Sequence, residues 1–200
     1  MEYIKQTLFG TPLIKFNNLH SYSEEEMNYI KSLELLHQEN SASISKDRFI
    51  LERDELKRVR DAIDRCAEKY IEDFIQVDNE FERTNSWLAV AEKEHEKHNH
   101  KCTIFSVVHY VEADNANITF YQNKNFITRS YDFDLNYTGF NEFNAKETII
   151  PVKTGDVIIF PGDVEHSSQN LSDKKKYVIG ANYFIRGDVG DQLKVTSLKL

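Results

Sequence analysis

His98-Asn99-His100-Lys101-Cys102-Thr103-Ile104-Phe105-Ser106-Val107-Val108-His109-Tyr110-Val111 carries two imidazoles, two residues apart, into a run of β-branched and aromatic residues. In an extended chain, residues i and i+2 point to the same face. The run reads as a strand, so His98 and His100 can share one metal ion. A third candidate closes Gly155-Asp156-Val157-Ile158-Ile159-Phe160-Pro161-Gly162-Asp163-Val164-Glu165-His166. Gly155 makes a turn, Pro161 ends the apolar strand 157–160 in a rigid corner, and His166 begins the next strand. Such a hairpin can set an imidazole at the mouth of a barrel, facing inward. Three nitrogen ligands cover one face of an ion and leave the opposite positions open, an arrangement that suits Fe(II) and O₂ chemistry.

The sequence around these stretches is mainly β. Strand-like runs recur at 87–90, 104–111, 118–121, 148–152, 157–160 and 177–185, separated by Gly- and Asn-containing turns. Short strands at this spacing indicate a sandwich or barrel. Upstream, Leu56, Val59, Ile63, Cys66, Ala67, Tyr70, Ile71 and Phe74 recur at three- and four-residue steps, which predicts an amphipathic helix over 54–76. Ser23-Glu24-Glu25-Glu26 is a capping box that opens an earlier helix, with Met27, Ile30, Leu33 and Leu36 as its stripe. Residues 7–16, broken by Gly10 and Pro12, read as an edge strand or two short ones. The polar stretch 38–46 reads as a loop and Phe49-Ile50-Leu51 as a short apolar anchor. The irregular segment 122–147 is too long for a plain connection and reads as a functional loop or lid.

The expected class is therefore α+β, mainly β, in one domain over 1–200. A strand and two helices (1–83) support a barrel core (84–186).

Bulk properties narrow the function. The net charge of −8 opposes a phosphate backbone, and Lys174-Lys175-Lys176, the longest basic run, is too short to override it. No nucleic-acid partner is expected. Cys66 and Cys102 form no CxxC pair, which excludes zinc-knuckle and thioredoxin readings. They are expected as reduced thiols. Met1-Glu2-Tyr3-Ile4-Lys5 lacks the apolar core of a signal peptide, and no stretch approaches the roughly 20 apolar residues of a membrane span. The expectation is a soluble, cytoplasmic protein. Of the other histidines, His20 and His37 are expected to face solvent. His95 should be solvated in the charged loop 92–97, and His109 packed within its strand.

His98-x-His100-x5-Ser106-x3-Tyr110-Val111, Gly155-Asp156-Val157-Ile158-Ile159-Phe160-Pro161-x4-His166-Ser167 and the closing Asn182 resemble the 2-oxoglutarate/Fe(II) oxygenases common in phages and marine bacteria. Asn85-Ser86-Trp87-Leu88 is similar to the strand before the first histidine in that family, and 41–56 to its N-terminal half. The resemblance implies a double-stranded β-helix, a jelly-roll or cupin-like barrel with the N-terminal helices packed on its outside. It implies Fe(II) at His98, His100 and His166, with 2-oxoglutarate and O₂ as cosubstrates and succinate and CO₂ as products. A Lys or Arg about ten residues after the distal histidine binds the far carboxylate in many such enzymes. Lys176 stands there, Lys174 shares its strand parity as the fallback, Tyr110 can assist, and Asn182 is the third residue expected at the cosubstrate. Phage coding would place the protein in the host cytoplasm.

Three positions depart from the family pattern. His100 stands where Asp or Glu is commonest in the wider superfamily, which leaves Glu96 or Asp163 open as a completing carboxylate. Val107 replaces Gly. Lys176 replaces the more frequent Arg, giving a point charge in place of a fork. Trp87, Phe105 and Phe120 are candidates for cavity lining or for ordinary core. Two other readings stay open: a three-histidine cupin-type dioxygenase without 2-oxoglutarate, although Asp163 stands where cupins prefer Gly, and a non-catalytic metal-binding barrel. The aromatics and acids of 122–147 would suit a polar or cationic small molecule, or a protein side chain, as primary substrate. Oligomeric state is not legible.

Overall fold

The computed structural model describes residues 3–4, 9–38, 41–122, 135–190 and 196–200. Seven strands form the larger sheet: β1 (Ile14–Phe16), β2 (Leu35–Leu36), β3 (Ser43–Ser45), β4 (Glu80–Ala91), β6 (Phe105–Glu112), β9 (Val157–Pro161) and β11 (Lys176–Arg186). Their spatial order is β1-β9-β6-β11-β4-β3-β2. Facing it is a four-stranded sheet of β5 (Glu94–His98), β10 (His166–Asn170), β7 (Ala116–Tyr121) and β8 (Glu147–Val152), in that order. All these ladders are antiparallel. The two sheets form the double-stranded β-helix that the motifs imply. A small ribbon of β12 (Asp188–Val189) and β13 (Leu198–Lys199) follows.

Strand parity divides the apolar residues between two cores. On β6, Phe105, Val107 and Val111 face the helices, whereas Val108 and Tyr110 face the barrel interior. On β9, Val157 and Ile159 face the helices, and Ile158 and Phe160 face inward. The outer core is closed by α1 (Glu24–Ser32) and α2 (Lys57–Tyr70). α2 buries Val59, Ala62, Ile63, Cys66, Ala67 and Tyr70. At about 1.5–3 kcal/mol for each large apolar side chain fully buried, this stripe is what fixes the helix on the sheet. The capping box opens α1: Ser23 Oγ accepts from Glu26 N, and Glu26 Oε2 accepts from Ser23 N. Phe105 belongs to the helix-side core, so it does not line the cavity; Phe120 and Trp87 do face the interior.

Several sequence expectations shift. α1 ends at Ser32, and Leu35–Leu36 continues as an edge strand outside the expected helical stripe. The expected loop at 38–46 contains β3, which extends the sheet beyond β4. The charged loop expected at 92–97 is instead mostly β5. Residues 123–134, most of the first half of the expected lid, lie outside the described residues. Among the described residues, no helix is long and apolar enough to cross a membrane.

Candidate metal and cosubstrate site

His98 ends β5, His100 follows it, and His166 opens β10, directly opposite His98 in the ladder. The corner after β9 pins His100: its backbone N donates to Gly162 O (2.8 Å), and Gly162 N donates to Ile104 O (3.0 Å). A Cβ on Gly162 would meet Thr103 O at 2.6 Å, so this close approach requires glycine. The two sequence motifs are thus locked together by backbone. One candidate ligand atom from each of His98, His100 and His166 lies within 4.8 Å of the others.

Each of the three rings is held through Nδ1. His98 Nδ1 meets Glu96 O at 2.7 Å, and His166 Nδ1 meets Val164 O at 3.1 Å. His100 Nδ1 donates to Asn182 Oδ1 (2.6 Å) and contacts Ser106 Oγ (2.7 Å), whose own hydrogen goes to Asn182 Oδ1 (2.8 Å). A proton fixed on Nδ1 leaves the Nε2 lone pair for a metal. Burial, with the neighbouring imidazole charges, holds His166 down to about 3 and His100 to about 4, so both are neutral and ready to coordinate at pH 7. This donor set fits a divalent transition metal. It contains no carboxylate among the described residues: Glu96 and Asp163 are both exposed and stand outside the group.

Lys176 faces the same cavity. It is 2% exposed, and its Nζ donates to Ser168 Oγ at 2.6 Å. No carboxylate pairs with it among the described residues, and burial pulls its pKa from 10.5 down to about 8. The Tyr110 hydroxyl, fully buried on the same lining and beside Ser168, has no well-formed hydrogen bond. A buried ammonium and an unsatisfied buried hydroxyl are each costly unless something completes them. Together they form a cradle for an anion with several acceptor atoms. Lys174, the fallback, is on the outside, where it pairs with Asp114 at 2.7 Å. Asn182 was expected to touch the cosubstrate; its Oδ1 is instead engaged by His100 and Ser106, so it reaches the site through a ligand.

Trp87 closes one wall. Its ring lies 5.4 Å from that of His100 and sits over Gly180, where a Cβ would meet the indole at 2.5 Å. Phe160 and Phe120 flank His166, at 4.7 and 6.1 Å between ring centres. His95 also lines the cavity, its ring 4.4 Å from His98; the solvated position expected for it is corrected by a strand irregularity. His20 is corrected too. Its side chain is 8% exposed and bonded to Glu26 Oε2 at 3.1 Å, because α1 folds over it. His109 packs as expected, fully buried on the helix side against His20 and Tyr22. His37 is exposed and meets Ser43 Oγ. Sequence reading missed Ser168 and His95. Ser168 was legible by parity, two residues after His166, whereas His95 was not.

Residues 85–181, which span β4 to the middle of β11, match the model of a family described as "Putative 2OG-Fe(II) oxygenase". No curated protein matches the chain. Among solved structures, the fold is similar to the non-heme alpha ketoglutarate dependent epimerase SnoN from nogalamycin biosynthesis (13% identity, TM-score 0.60, 87% of this chain and 78% of that one). HygX from Streptomyces hygroscopicus, solved with nickel and 2-oxoglutarate bound, has 10% identity and a TM-score of 0.58, over 86% of this chain and 82% of its own. A prolyl-4-hydroxylase from Pseudomonas putida has 10% identity and a TM-score of 0.58, over 88% and 94%. At these identities the likeness is one of fold. The matched stretch holds all three clustered histidines and the buried lysine, and with the fold it supports the 2OG-Fe(II) oxygenase family, whose cofactor and cosubstrate are Fe(II) and 2-oxoglutarate.

Proposed function

We propose that this protein is a 2-oxoglutarate/Fe(II) oxygenase that hydroxylates a C–H bond of a small molecule or a protein side chain. His98, His100 and His166 hold the metal, and Lys176 and Tyr110 hold the cosubstrate. The observation that carries the reading is the presence, in one cavity, of three clustered imidazoles and a buried lysine with no carboxylate partner among the described residues.

Fe(II) with 2-oxoglutarate and O₂ supplies an oxidant of C–H bonds, with succinate and CO₂ as by-products. The chain's own residues do the rest. Asn182 and Ser106 fix the tautomer and tilt of His100, and the backbone carbonyls of Glu96 and Val164 do the same for His98 and His166. Lys176 neutralises the far carboxylate of 2-oxoglutarate, and the Tyr110 hydroxyl donates to it. Trp87, Val108, Ile118 and Val178 line the cavity with apolar surface, which keeps water out and strengthens these contacts. An all-imidazole set carries one negative charge fewer than a set with one carboxylate, which would favour a dianionic cosubstrate at the bound metal.

Anaerobic addition of Fe(II) and then 2-oxoglutarate tests the reading. The expected result is a weak visible charge-transfer band, followed by succinate formation on admitting air. Absence of both would overturn it. Iron binding without a 2-oxoglutarate response would indicate three-histidine chemistry of the cupin type.

A further inference from the structure

We propose that His95 is a fourth functional imidazole of this cavity, one that hydrogen-bonds a carboxylate of 2-oxoglutarate and does not coordinate the metal. The proposal rests on the oxygenase reading above.

His95 lies in Glu92-Lys93-Glu94-His95-Glu96-Lys97, a run whose composition suits solvent. His95 and His98 are three apart, so a regular strand would point them to opposite faces. The ladder between β5 and β10 is irregular here. His98 pairs with His166 and His95 with Ser168, so three steps on β5 match two on β10. The extra residue restores a common parity, and both imidazoles face inward. The irregularity gives up regular ladder pairing and directs a polar ring into a largely apolar cavity, which is unfavourable unless that ring has a partner.

No protein partner is visible. The ring of His95 packs on that of His98, and neither nitrogen has a hydrogen bond or ion pair with a described residue. Among the described residues, the group that could hold a metal comprises the other three histidines. Across the ladder from His95 is Ser168, whose Oγ receives the Lys176 ammonium. His95 therefore borders both the clustered imidazoles and the buried cation, on the lining of the cavity that a dicarboxylate with one end on the metal and the other on Lys176 would occupy. A neutral imidazole offers one N–H donor there.

Binding measurements on the full chain, loaded anaerobically with Fe(II), test this with His95→Phe, which keeps a flat ring and removes the donor, and His95→Gln, which keeps an N–H. The 2-oxoglutarate Kd is read from the charge-transfer band and the metal Kd from chelator competition. His95→Phe is expected to raise the 2-oxoglutarate Kd about 10-fold or more, the scale of a hydrogen bond to a charged group, with His95→Gln within about 3-fold of wild type. Metal affinity is expected to stay within about 2-fold in both, since neither variant replaces a ligand or a hydrogen-bond partner of one. An unchanged 2-oxoglutarate Kd in His95→Phe overturns the proposal. So does a loss of metal affinity equal to the loss of cosubstrate affinity, which would make His95 a ligand. A wild-type protein that gives no band at all overturns the oxygenase reading instead, and the two failures are told apart by that control.

Discussion

Asn182 illustrates how a side chain can matter to a metal site without reaching the metal. Its Oδ1 collects hydrogen bonds from both His100 and Ser106, so truncation frees the His100 ring to rotate and to change tautomer. Asn182→Ala is expected to weaken metal binding about 10- to 100-fold, as losses of such outer partners do. Chelator competition would measure it, and an unchanged metal Kd would remove Asn182 from the site. Lys176 makes a prediction in pH. Its folded pKa of about 8 lies below the unfolded 10.5, so between these values the native state sheds its proton first. Stability from this residue therefore rises with pH through that window, while the capacity to pair with a carboxylate falls. The 2-oxoglutarate Kd is expected to climb above pH 8, by up to about tenfold per pH unit, and calorimetry in two buffers should show proton uptake on binding near pH 8. A flat Kd from pH 7 to 9.5 would show that the lysine charge is not used. Lys176→Ala should abolish the pH dependence and leave metal binding intact.

At the scale of the element, strand pairing decides what a residue meets. Gly180 on β11 pairs with Trp87 on β4, and the indole lies where a Cβ would be. Gly180→Ala forces the ring to tilt toward His100. The expected cost is about 1–3 kcal/mol in stability, as for other overpacked sites. Because Trp87 is the single tryptophan, its intrinsic fluorescence reports the tilt directly. Unaltered emission and melting would mean that the ring does not rest on Gly180. Most elements were legible because their periods are strong: the α2 stripe, the alternation on β6 and β9, and the Ser23–Glu26 capping box each follow from local chemistry. β3 and β5 were not. Ser43–Ser45 and Glu94–His98 are polar segments with no strand signature of their own, and they pair because apolar neighbours bring an unfilled sheet edge to them. The position of His95 was illegible for a sharper reason. One irregular step in a ladder reverses the face of a residue, and sequence alone does not show where the step falls.

Over the whole molecule, the three candidate ligands come from a short stretch and a strand some 66 residues later, 100 to 166, so their cluster exists only in the folded barrel. Metal binding must then stabilise the fold. Fe(II) or Mn(II) at 100 times its Kd is expected to add about 2.7 kcal/mol, which for a chain of this size raises the melting temperature by about 5–10 °C. Anaerobic thermal melts with and without metal check this, and His166→Ala should erase the difference. Equal melting temperatures in the wild type would mean that the imidazole cluster takes no metal.

The sequence alone determined the mainly β architecture, the helix that backs it and the His98/His100/His166 candidate set, because each rests on a strong local period or on a motif with fixed spacing. Tertiary structure decided which of two lysines of equal parity enters the cavity, that Asn182 serves His100, that Glu96 and Asp163 stand apart from the histidine cluster, and that His95 turns inward. Those outcomes depend on register between strands distant in sequence, where a shift of one residue exchanges core for solvent.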